Sequence, residues 1–295
     1  MMISFRALNL LFSFSLFIIG CKTSESSSTK TLNEVQEKVK VIESFKTILV
    51  SEDDDILEDN IIESESIREY TGVHRLGDRM INLKFWIKGA GLTFVNLHDD
   101  ENTSVKAALV VIDSIGGRLI ELRHSGERNI RFEMSSSTYE FDPNRMFTDK
   151  GTKKSMKKFG PFSKKAHSNI RALAQHLIDS LDLRMIVTLH NSSDENYSSL
   201  SYLDEYKNDA AEVFINPERD PDDFFFVTTE VLFDKFKNLG YNTVLQNNAT
   251  MTDDGSLSVL AGRQGIPYIN VEAQHGHFDE QVEMLFTLVS VLGEL

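Results

Sequence analysis

The chain has 295 residues, and 41% of them are hydrophobic, which is enough for a sizeable core in one large domain or two small ones. The formal net charge is −14, from 31 basic and 45 acidic residues, and this balance argues against a nucleic-acid partner, because phosphate binding relies on clustered Lys and Arg. Cys21 is the single cysteine, so the composition excludes a disulfide framework and a cysteine-based metal site. Any metal would have to be held by His, Asp or Glu.

The first twenty residues have the pattern of a secretory signal. Arg6 precedes an apolar run from Leu8 to Ile19, which is short for a membrane span of ~20 residues and suits the apolar part of a signal peptide. The run ends in Ile-Ile-Gly-Cys, which resembles the lipobox of bacterial lipoproteins. The resemblance implies that residues 1–20 are removed and that Cys21 is lipidated. The protein would then be anchored to a membrane of the bacterial cell envelope, on its periplasmic or extracellular face.

Residues 21–67 are predicted to form an acidic tether rich in Ser and Thr. Within it, residues 31–49 carry apolar side chains near helical spacing and predict a helix. Residues 51–66 contain eight acids and no base, which is typical of a solvated spacer. A calcium site is the alternative there, although no EF-hand spacing is present. Residues 68–295 have the pattern of one globular domain.

Strands and helices alternate along this globular region. The predicted strands are Met80–Lys88, Leu92–Leu97, Arg118–Arg123, Asn129–Met134, Arg184–His190 and Pro267–Ala273. The predicted helices are Thr103–Ser114, Ser168–Ser180, one within Val227–Gly240, and Asp279–Leu292. The segment Tyr139–Gly160 is predicted to be a loop. The alternation predicts an α/β fold with a mixed, largely parallel central sheet flanked by helices.

Three predicted strands end in residues that can do chemistry, namely His98, His190 and Glu272. In α/β sheets, ligands collect at the carboxyl ends of strands. His98 and Glu101 lie three residues apart at a strand-to-helix turn, so both side chains can reach one point, and His190 can supply a third metal ligand. Taken singly, each has a structural alternative: a hydrogen-bonded histidine, or an acid favoured at a helix start.

The segments VNLHDDENTS, FDPNRMF, VTLHNSSD and YINVEA follow one another in an order that resembles the zinc carboxypeptidase superfamily. That superfamily includes metallocarboxypeptidases and the succinylglutamate desuccinylase/aspartoacylase group. Its pattern is H-x-x-E, then an Asn-Arg pair, then a His after a strand, then a Glu near the C-terminus. The resemblance implies that one zinc ion is bound by His98, Glu101 and His190. It also implies that Asn144 and Arg145 bind a substrate carboxylate, for which a guanidinium is suited.

The same resemblance implies that Glu272 is the general base, which takes a proton from water and passes it to the leaving nitrogen. The superfamily also uses an arginine that stabilises the oxyanion. Arg123, Arg128 and Arg131 compete for this role, and Arg128 is the preferred candidate. The superfamily's tyrosine near the substrate is not identifiable; Tyr241 is the candidate, although it is rather expected to pack.

Other charged residues around these motifs have open interpretations. Asp99 and Asp100 are expected to point outward or to orient a ligand histidine. His275 and His277 are expected at the surface, with a pocket wall or a second metal as the alternatives. Seven lysines between residues 150 and 165 are expected to form a solvated loop, which could also attract an acidic substrate or an anionic envelope surface.

The resemblance therefore predicts a zinc-dependent hydrolase that cleaves an amide bond beside a free carboxylate, foremost as a carboxypeptidase acting on envelope peptides. A deacylase of N-acyl amino acids is the main alternative. A non-catalytic binding lipoprotein that kept the pocket is an alternative of another class, and the presence of Glu272 argues against it. A structural acidic lipoprotein that binds no metal is the remaining alternative.

Overall fold

The computed structural model describes residues 66–193 and 197–293. The predictions for the signal peptide, for the lipidation of Cys21 and for the acidic tether lie outside these residues. None of the helices within the two ranges combines the length and the apolar character that crossing a membrane requires.

Eleven strands, six α-helices and two short 3-10 helices make up the described part of the chain. The strands are β1 (Arg68–Leu76), β2 (Arg79–Lys88), β3 (Thr93–Asn96), β4 (Gly117–Arg123), β5 (Ile130–Met134), β6 (Ser137–Phe141), β7 (Ile186–Ser192), β8 (Ala210–Phe214), β9 (Phe224–Val227), β10 (Asn242–Gln246) and β11 (Tyr268–Gln274). The helices are α1 (Asn102–Ile115), α2 (Asp149–Phe159), α3 (Lys164–Ile178), α4 (Glu230–Asn238), α5 (Leu257–Gln264) and α6 (Phe278–Gly293), and the 3-10 helices are Pro143–Arg145 and Ser199–Leu203.

Nine strands form one sheet in the order β1-β2-β4-β3-β7-β11-β9-β10-β8, and β5 and β6 form a separate two-stranded ribbon. The four central strands β4, β3, β7 and β11 run parallel to one another. Antiparallel pairs lie outside them, such as β1 with β2 and β11 with β9. The predicted α/β fold with a mixed sheet and a parallel centre is confirmed.

Helices cover both faces of the sheet. One hydrophobic cluster joins the sheet to α1, α4 and α6, and the other joins the opposite face to α2, α3 and α5. A parallel sheet that is buried on both faces needs nearly continuous apolar strands, and β9, with the sequence FFFV, is buried at every position. Each fully buried Leu or Phe contributes roughly 1.5–3 kcal/mol to stability.

The period of two along a strand decides which side chains reach the candidate site. On β7, Val187 and Leu189 belong to the cluster under α1, so His190 points to the opposite face of the sheet. On β11, Val271 belongs to the same cluster, so Glu272 also points to the opposite face. Glu272 and His190 are directly paired in the parallel register of the two strands. The two polar side chains therefore lie side by side on one face.

The prediction of a loop over Tyr139–Gly160 is wrong, because this segment contains the end of β6, a 3-10 helix and α2. The buried side of α2 is formed by Gly151, Thr152, Ser155 and Met156, so only one large apolar side chain marks its helical period. Its start is fixed by Thr148, whose hydroxyl accepts a hydrogen bond from the Gly151 N–H. Strands β1, β8, β9 and β10 and helix α5 were also not predicted.

Candidate active site and metal centre

His98, Glu101 and His190 converge on one point. His98 and Glu101 lie in the turn between β3 and α1, and His190 lies near the end of β7, next to β3 in the sheet. The His98 Nδ1 atom is 2.7 Å from Glu101 Oε1, and His190 Nδ1 is 2.9 Å from Glu101 Oε2. The two Nδ1 atoms are 3.2 Å apart. All three residues are buried, and within the described ranges they are the group of three whose ligand atoms could hold a metal ion.

This donor set fits a divalent metal. Two imidazole nitrogens and one carboxylate are a catalytic zinc set, and ligand atoms about 2.0–2.1 Å from a tetrahedral ion lie about 3.3 Å from one another. The observed separations of 2.7, 2.9 and 3.2 Å are close to that spacing. Moreover, the other ring nitrogen of His98, Nε2, lies 2.9 Å from Asp142 Oδ1. A carboxylate that accepts this N–H leaves the Nδ1 lone pair free for a metal, as is typical of metal-binding histidines.

The electrostatics of the cluster favour a cation among these residues. Burial lowers the pKa of His98, but the charges and hydrogen bonds of Glu101 and Asp142 outweigh burial and raise this pKa to about 9. Burial raises the pKa of Glu101, but His98 and His190 outweigh it and hold the pKa well below its usual range. Glu101 is therefore ionised, and positive charge, as a proton or as a metal ion, compensates it.

Glu272 lies on the same face and has the properties of a proton acceptor. Burial, with a further contribution from the charge of Glu101, raises its pKa to about 8. Its Oε2 accepts a hydrogen bond of 2.9 Å from the Asn270 side-chain amide. Asn270 Oδ1 in turn lies 3.3 Å from the hydroxyl of Thr188, which is 2.6 Å from the hydroxyl of Tyr268. This buried polar chain along β11 and β7 holds the carboxyl in place.

Of the three competing arginines, Arg128 is the one that reaches the metal cluster. Its Nη1 atom is 2.7 Å from Glu101 Oε1, and its side chain is 49% exposed, so the guanidinium lies between the cluster and solvent. Arg123 instead pairs with Asp99, and Arg131 pairs with Glu140. The three arginines thus differ in position, and the role of Arg128 in stabilising an oxyanion stays a prediction.

Asn144 and Arg145 are brought next to the cluster by the 3-10 helix Pro143–Arg145. The side-chain amide of Asn144 lies 3.5 Å from His190 Nε2. Arg145 Nη1 pairs with Asp254 Oδ2 at 3.1 Å and donates to the backbone carbonyl of Asn144 at 3.0 Å. Both members of the Arg145–Asp254 pair remain 35% exposed, so solvent and a ligand can reach the guanidinium.

The prediction for Asp99 is wrong, because its buried carboxylate neither points outward nor touches a ligand histidine. One oxygen of Asp99 accepts hydrogen bonds of 2.6–2.7 Å from the backbone N–H groups of residues 124, 125 and 126, and the other pairs with Arg123. Asp99 therefore fastens the loop that leads to Arg128. Asp142 contacts His98 instead, and it was not predicted as a site residue although it directly precedes the Pro-Asn-Arg segment.

An aromatic group beside the site was also missed. The hydroxyls of Tyr197 and Tyr202 are 2.5 Å apart, and burial raises the pKa of both, with the charge of Glu272 contributing in the same direction. Three tyrosines within ten residues, in the sequence YSSLSYLDEY, were the available signal. Tyr241 packs elsewhere, with its hydroxyl bonded to Glu283 and Thr287, as expected.

The histidines beyond β11 do not join the metal cluster. His277 Nδ1 is 2.9 Å from Asp223 Oδ2, and His275 is exposed. Neither belongs to a group of three metal-binding side chains within the described ranges. The structure therefore favours the surface interpretation of both residues over a second metal site.

Comparisons with known proteins give a structural likeness. No family model and no curated protein matches the chain. Among solved structures, the chain is similar to murein-tripeptide amidase MpaA from Escherichia coli O157, with 13% identity, a TM-score of 0.39 and coverage of 78% of this chain and 92% of that one. It is also similar to succinylglutamate desuccinylase from Chromobacterium violaceum, with 11% identity, a TM-score of 0.38 and coverage of 77% and 74%. A third match is bovine thrombin-activatable fibrinolysis inhibitor, with 11% identity, a TM-score of 0.40 and coverage of 89% and 95%. At such identities and scores, the likeness carries no conclusion about activity, which has to come from the side chains themselves.

Proposed function

We propose that the protein is a metal-dependent hydrolase that cleaves an amide bond beside a free carboxylate, with zinc as its metal. The observation that carries the proposal is the convergence of His98, Glu101 and His190 on one buried point, with Glu272 on the same face of the sheet. A divalent ion held by these three residues would supply Lewis-acid activation of a water molecule and of the substrate carbonyl.

Glu272 is suited to move the proton in this reaction. A carboxyl with a pKa raised to about 8 takes a proton readily near neutral pH and gives it up again readily. Glu272 would accept the proton of the attacking water and then donate it to the leaving amine. Asn270 would hold the carboxyl in the orientation that both transfers require.

Two arginines are placed to bind the charged parts of the substrate. Arg145 has one nitrogen engaged with Asp254, and its other guanidinium nitrogens donate to no residue within the described ranges, so it can bind a free carboxylate. Arg128 contacts Glu101 at the solvent side of the cluster. Its charge is thus close to the place where negative charge develops on the carbonyl oxygen, which it would stabilise.

The proposed substrate pool is peptides of the cell envelope, cleaved at the residue that carries the free carboxylate. N-acyl amino acids present the same pairing of amide and carboxylate and are the second candidate. A non-catalytic binding protein is disfavoured by Glu272, because a buried carboxyl with a raised pKa lowers stability at neutral pH and does not belong to the group of three metal-binding residues. We also propose that Cys21 is lipidated and anchors the protein to an envelope membrane. Labelling with a radioactive fatty acid would test this, with Cys21→Ser expected to remove the label.

Metal content and hydrolysis, measured on the same variants, test the proposed function. We expect one bound metal in the wild type, none in His98→Ala, and one in Glu272→Gln, with hydrolysis abolished in both variants. His277→Ala is the matched control, because it removes an imidazole that lies near β11 but outside the cluster, and it should keep both metal and activity. The substrate panel should pair peptides with a free C-terminus against the same peptides amidated, and add N-acyl amino acids. Full turnover by Glu272→Gln, or equal turnover of amidated peptides, would contradict the proposal.

A further inference from the structure

The solvent-facing side of helix α2 carries five lysines and a single acid, Asp149, at the first residue of the helix. The buried residues of the helix, with Met156 as the largest, lie on the opposite side. The five exposed lysines, called the lysine face from here on, follow the spacing i, i+3, i+4, i+7 and i+8 of one helix side; they are Lys150, Lys153, Lys154, Lys157 and Lys158. The segment expected to be a solvated loop is thus an ordered, one-sided array of positive charge.

No acidic side chain within the described ranges forms an ion pair with the lysine face. Asp149, the acid in the first turn of α2, pairs with Arg171 on α3 instead. Lys164 and Lys165, both exposed at the start of α3, add two more positive charges beside the array. In a chain with 45 acidic residues and a net charge of −14, seven lysines within sixteen residues thus have no ion-pair partner in the part of the chain that the structure describes.

This arrangement is unfavourable for the isolated helix. Like charges at i,i+3 and i,i+4 repel one another, and Lys150 with Lys154 and Lys153 with Lys157 are such pairs. An external surface that supplies negative charge would relieve this repulsion. The lysine face therefore has the electrostatics of a docking surface for a polyanion.

We propose that the lysine face docks onto an anionic lipid bilayer. The face is the convex side of a helix, a shape that suits a flat surface. The lysine face contains no arginine. Lysine ammonium groups are point charges on flexible stems, whereas a single carboxylate or phosphate ligand is bound best by the bidentate fork of arginine. Two partly buried aromatic rings lie among the lysines: Lys158 is 5.0 Å from the Phe159 ring and Lys153 is 5.4 Å from the Phe162 ring. Aromatic and basic residues together are typical of membrane-surface helices.

Since the remaining chain has a net negative charge, an anionic bilayer would repel it and attract the lysine face, so that docking would also orient the domain. The proposal does not rest on the hydrolase function. It concerns a contact of the folded domain itself, in addition to any lipid attached at Cys21.

Vesicle binding by charge-matched variants tests the proposal. The full chain would be sedimented with phosphatidylcholine vesicles that contain or lack phosphatidylglycerol. Lys153→Gln/Lys157→Gln removes two charges from the lysine face, and Lys106→Gln/Lys207→Gln removes two exposed charges elsewhere. Because all proteins share the same N-terminus, its contribution cancels in the comparison. Circular dichroism confirms that each variant is folded.

We expect binding to phosphatidylglycerol vesicles to weaken with salt and to fall about 25-fold in Lys153→Gln/Lys157→Gln, since each lysine near an anionic surface contributes about five-fold in affinity. The control pair should change binding less than about two-fold, because its charges lie off the lysine face. Equal losses in the two pairs, or equal binding to vesicles with and without phosphatidylglycerol, would overturn the proposal. So would complete displacement from vesicles by soluble polyglutamate at an equal concentration of negative charge, which would assign the face to an acidic polymer.

Discussion

Burial and the charge of Glu101 raise the pKa of the Glu272 carboxyl to about 8. The exchange Glu272→Gln removes this carboxyl and keeps an oxygen that can accept the hydrogen bond of Asn270. We expect the exchange to abolish hydrolysis, because an amide cannot take the proton of the attacking water. We also expect it to stabilise the metal-free protein at neutral pH. A residue that supports only folding would not produce opposite effects on stability and activity.

The sign and the size of the stability effect follow from linkage. The carboxyl titrates at about 4.5 in the unfolded chain and at about 8 in the folded protein. Between these values the folded protein retains a proton that the unfolded chain has lost, so the free energy of unfolding falls as the pH rises. A pH of 7 is about 2.5 units above the pKa of Glu272 in the unfolded chain. At about 1.4 kcal/mol per unit, the raised pKa in the folded state destabilises the wild type by about 3 kcal/mol at this pH. Above pH 8 the penalty levels off at about 5 kcal/mol.

The assay is urea unfolding of both proteins in a chelating buffer at several pH values between 4.5 and 8. The difference in free energy of unfolding between Glu272→Gln and wild type should be close to zero at the acid end and reach about 3 kcal/mol at pH 7. Metal content of the untreated proteins should be equal. A difference that stays constant over the whole pH range would refute the reasoning, because it would show that the carboxyl is not held neutral in the fold.

Three further outcomes are expected. Metal affinity should rise about ten-fold per pH unit up to about pH 9, because a metal has to displace the proton of His98, whose pKa is raised to about 9. Titration calorimetry in buffers of different ionisation enthalpy should show one proton released per bound ion. An affinity that does not depend on pH would contradict this expectation. Asn270→Ala should shift the acidic limb of the pH profile of kcat/KM to higher pH, since the hydrogen bond of Asn270 lowers the pKa of Glu272. An acidic limb at the same pH in both proteins would contradict the positioning role of Asn270. Gly151→Ala should lower the free energy of unfolding by about 1–3 kcal/mol, because the added methyl group would overlap the backbone of Gly255. Gly160→Ala, where the backbone is extended and has space for a methyl group, should be close to neutral. A gain in stability from Gly151→Ala, which helix propensity alone would give, would contradict the overlap.

The elements that the sequence predicted are those whose burial pattern is locally regular. Strand β2 and helices α1 and α6 were found within two residues of their observed bounds, because each repeats its buried positions at the period of its own geometry. Helix α2 was missed because its buried side is nearly all small or polar. A helix side of small residues is buried only when another segment approaches closely, as the Gly255 backbone does at Gly151. That segment lies about 100 residues away in sequence, so the local sequence of α2 does not indicate it.

The candidate site divides in the same way. The residue types, their positions after strands and their order along the chain pointed to His98, Glu101, His190 and Glu272, since the period of two along each strand is local geometry. The contact of Asp142 with His98 could not be predicted, because it joins residues 44 positions apart through a turn whose path depends on packing.

The sequence by itself determined the α/β class, because this class follows from the alternation of strand and helix patterns. It also supplied the residue types of the candidate centre, and the resemblance to the zinc carboxypeptidase superfamily supplied the roles proposed for them. Only the tertiary structure decided which arginine meets Glu101, which carboxylate contacts His98, and that the lysines of α2 share one face. These outcomes depend on which segments pack together across the sheet, and long-range packing is not encoded in any local pattern of the chain.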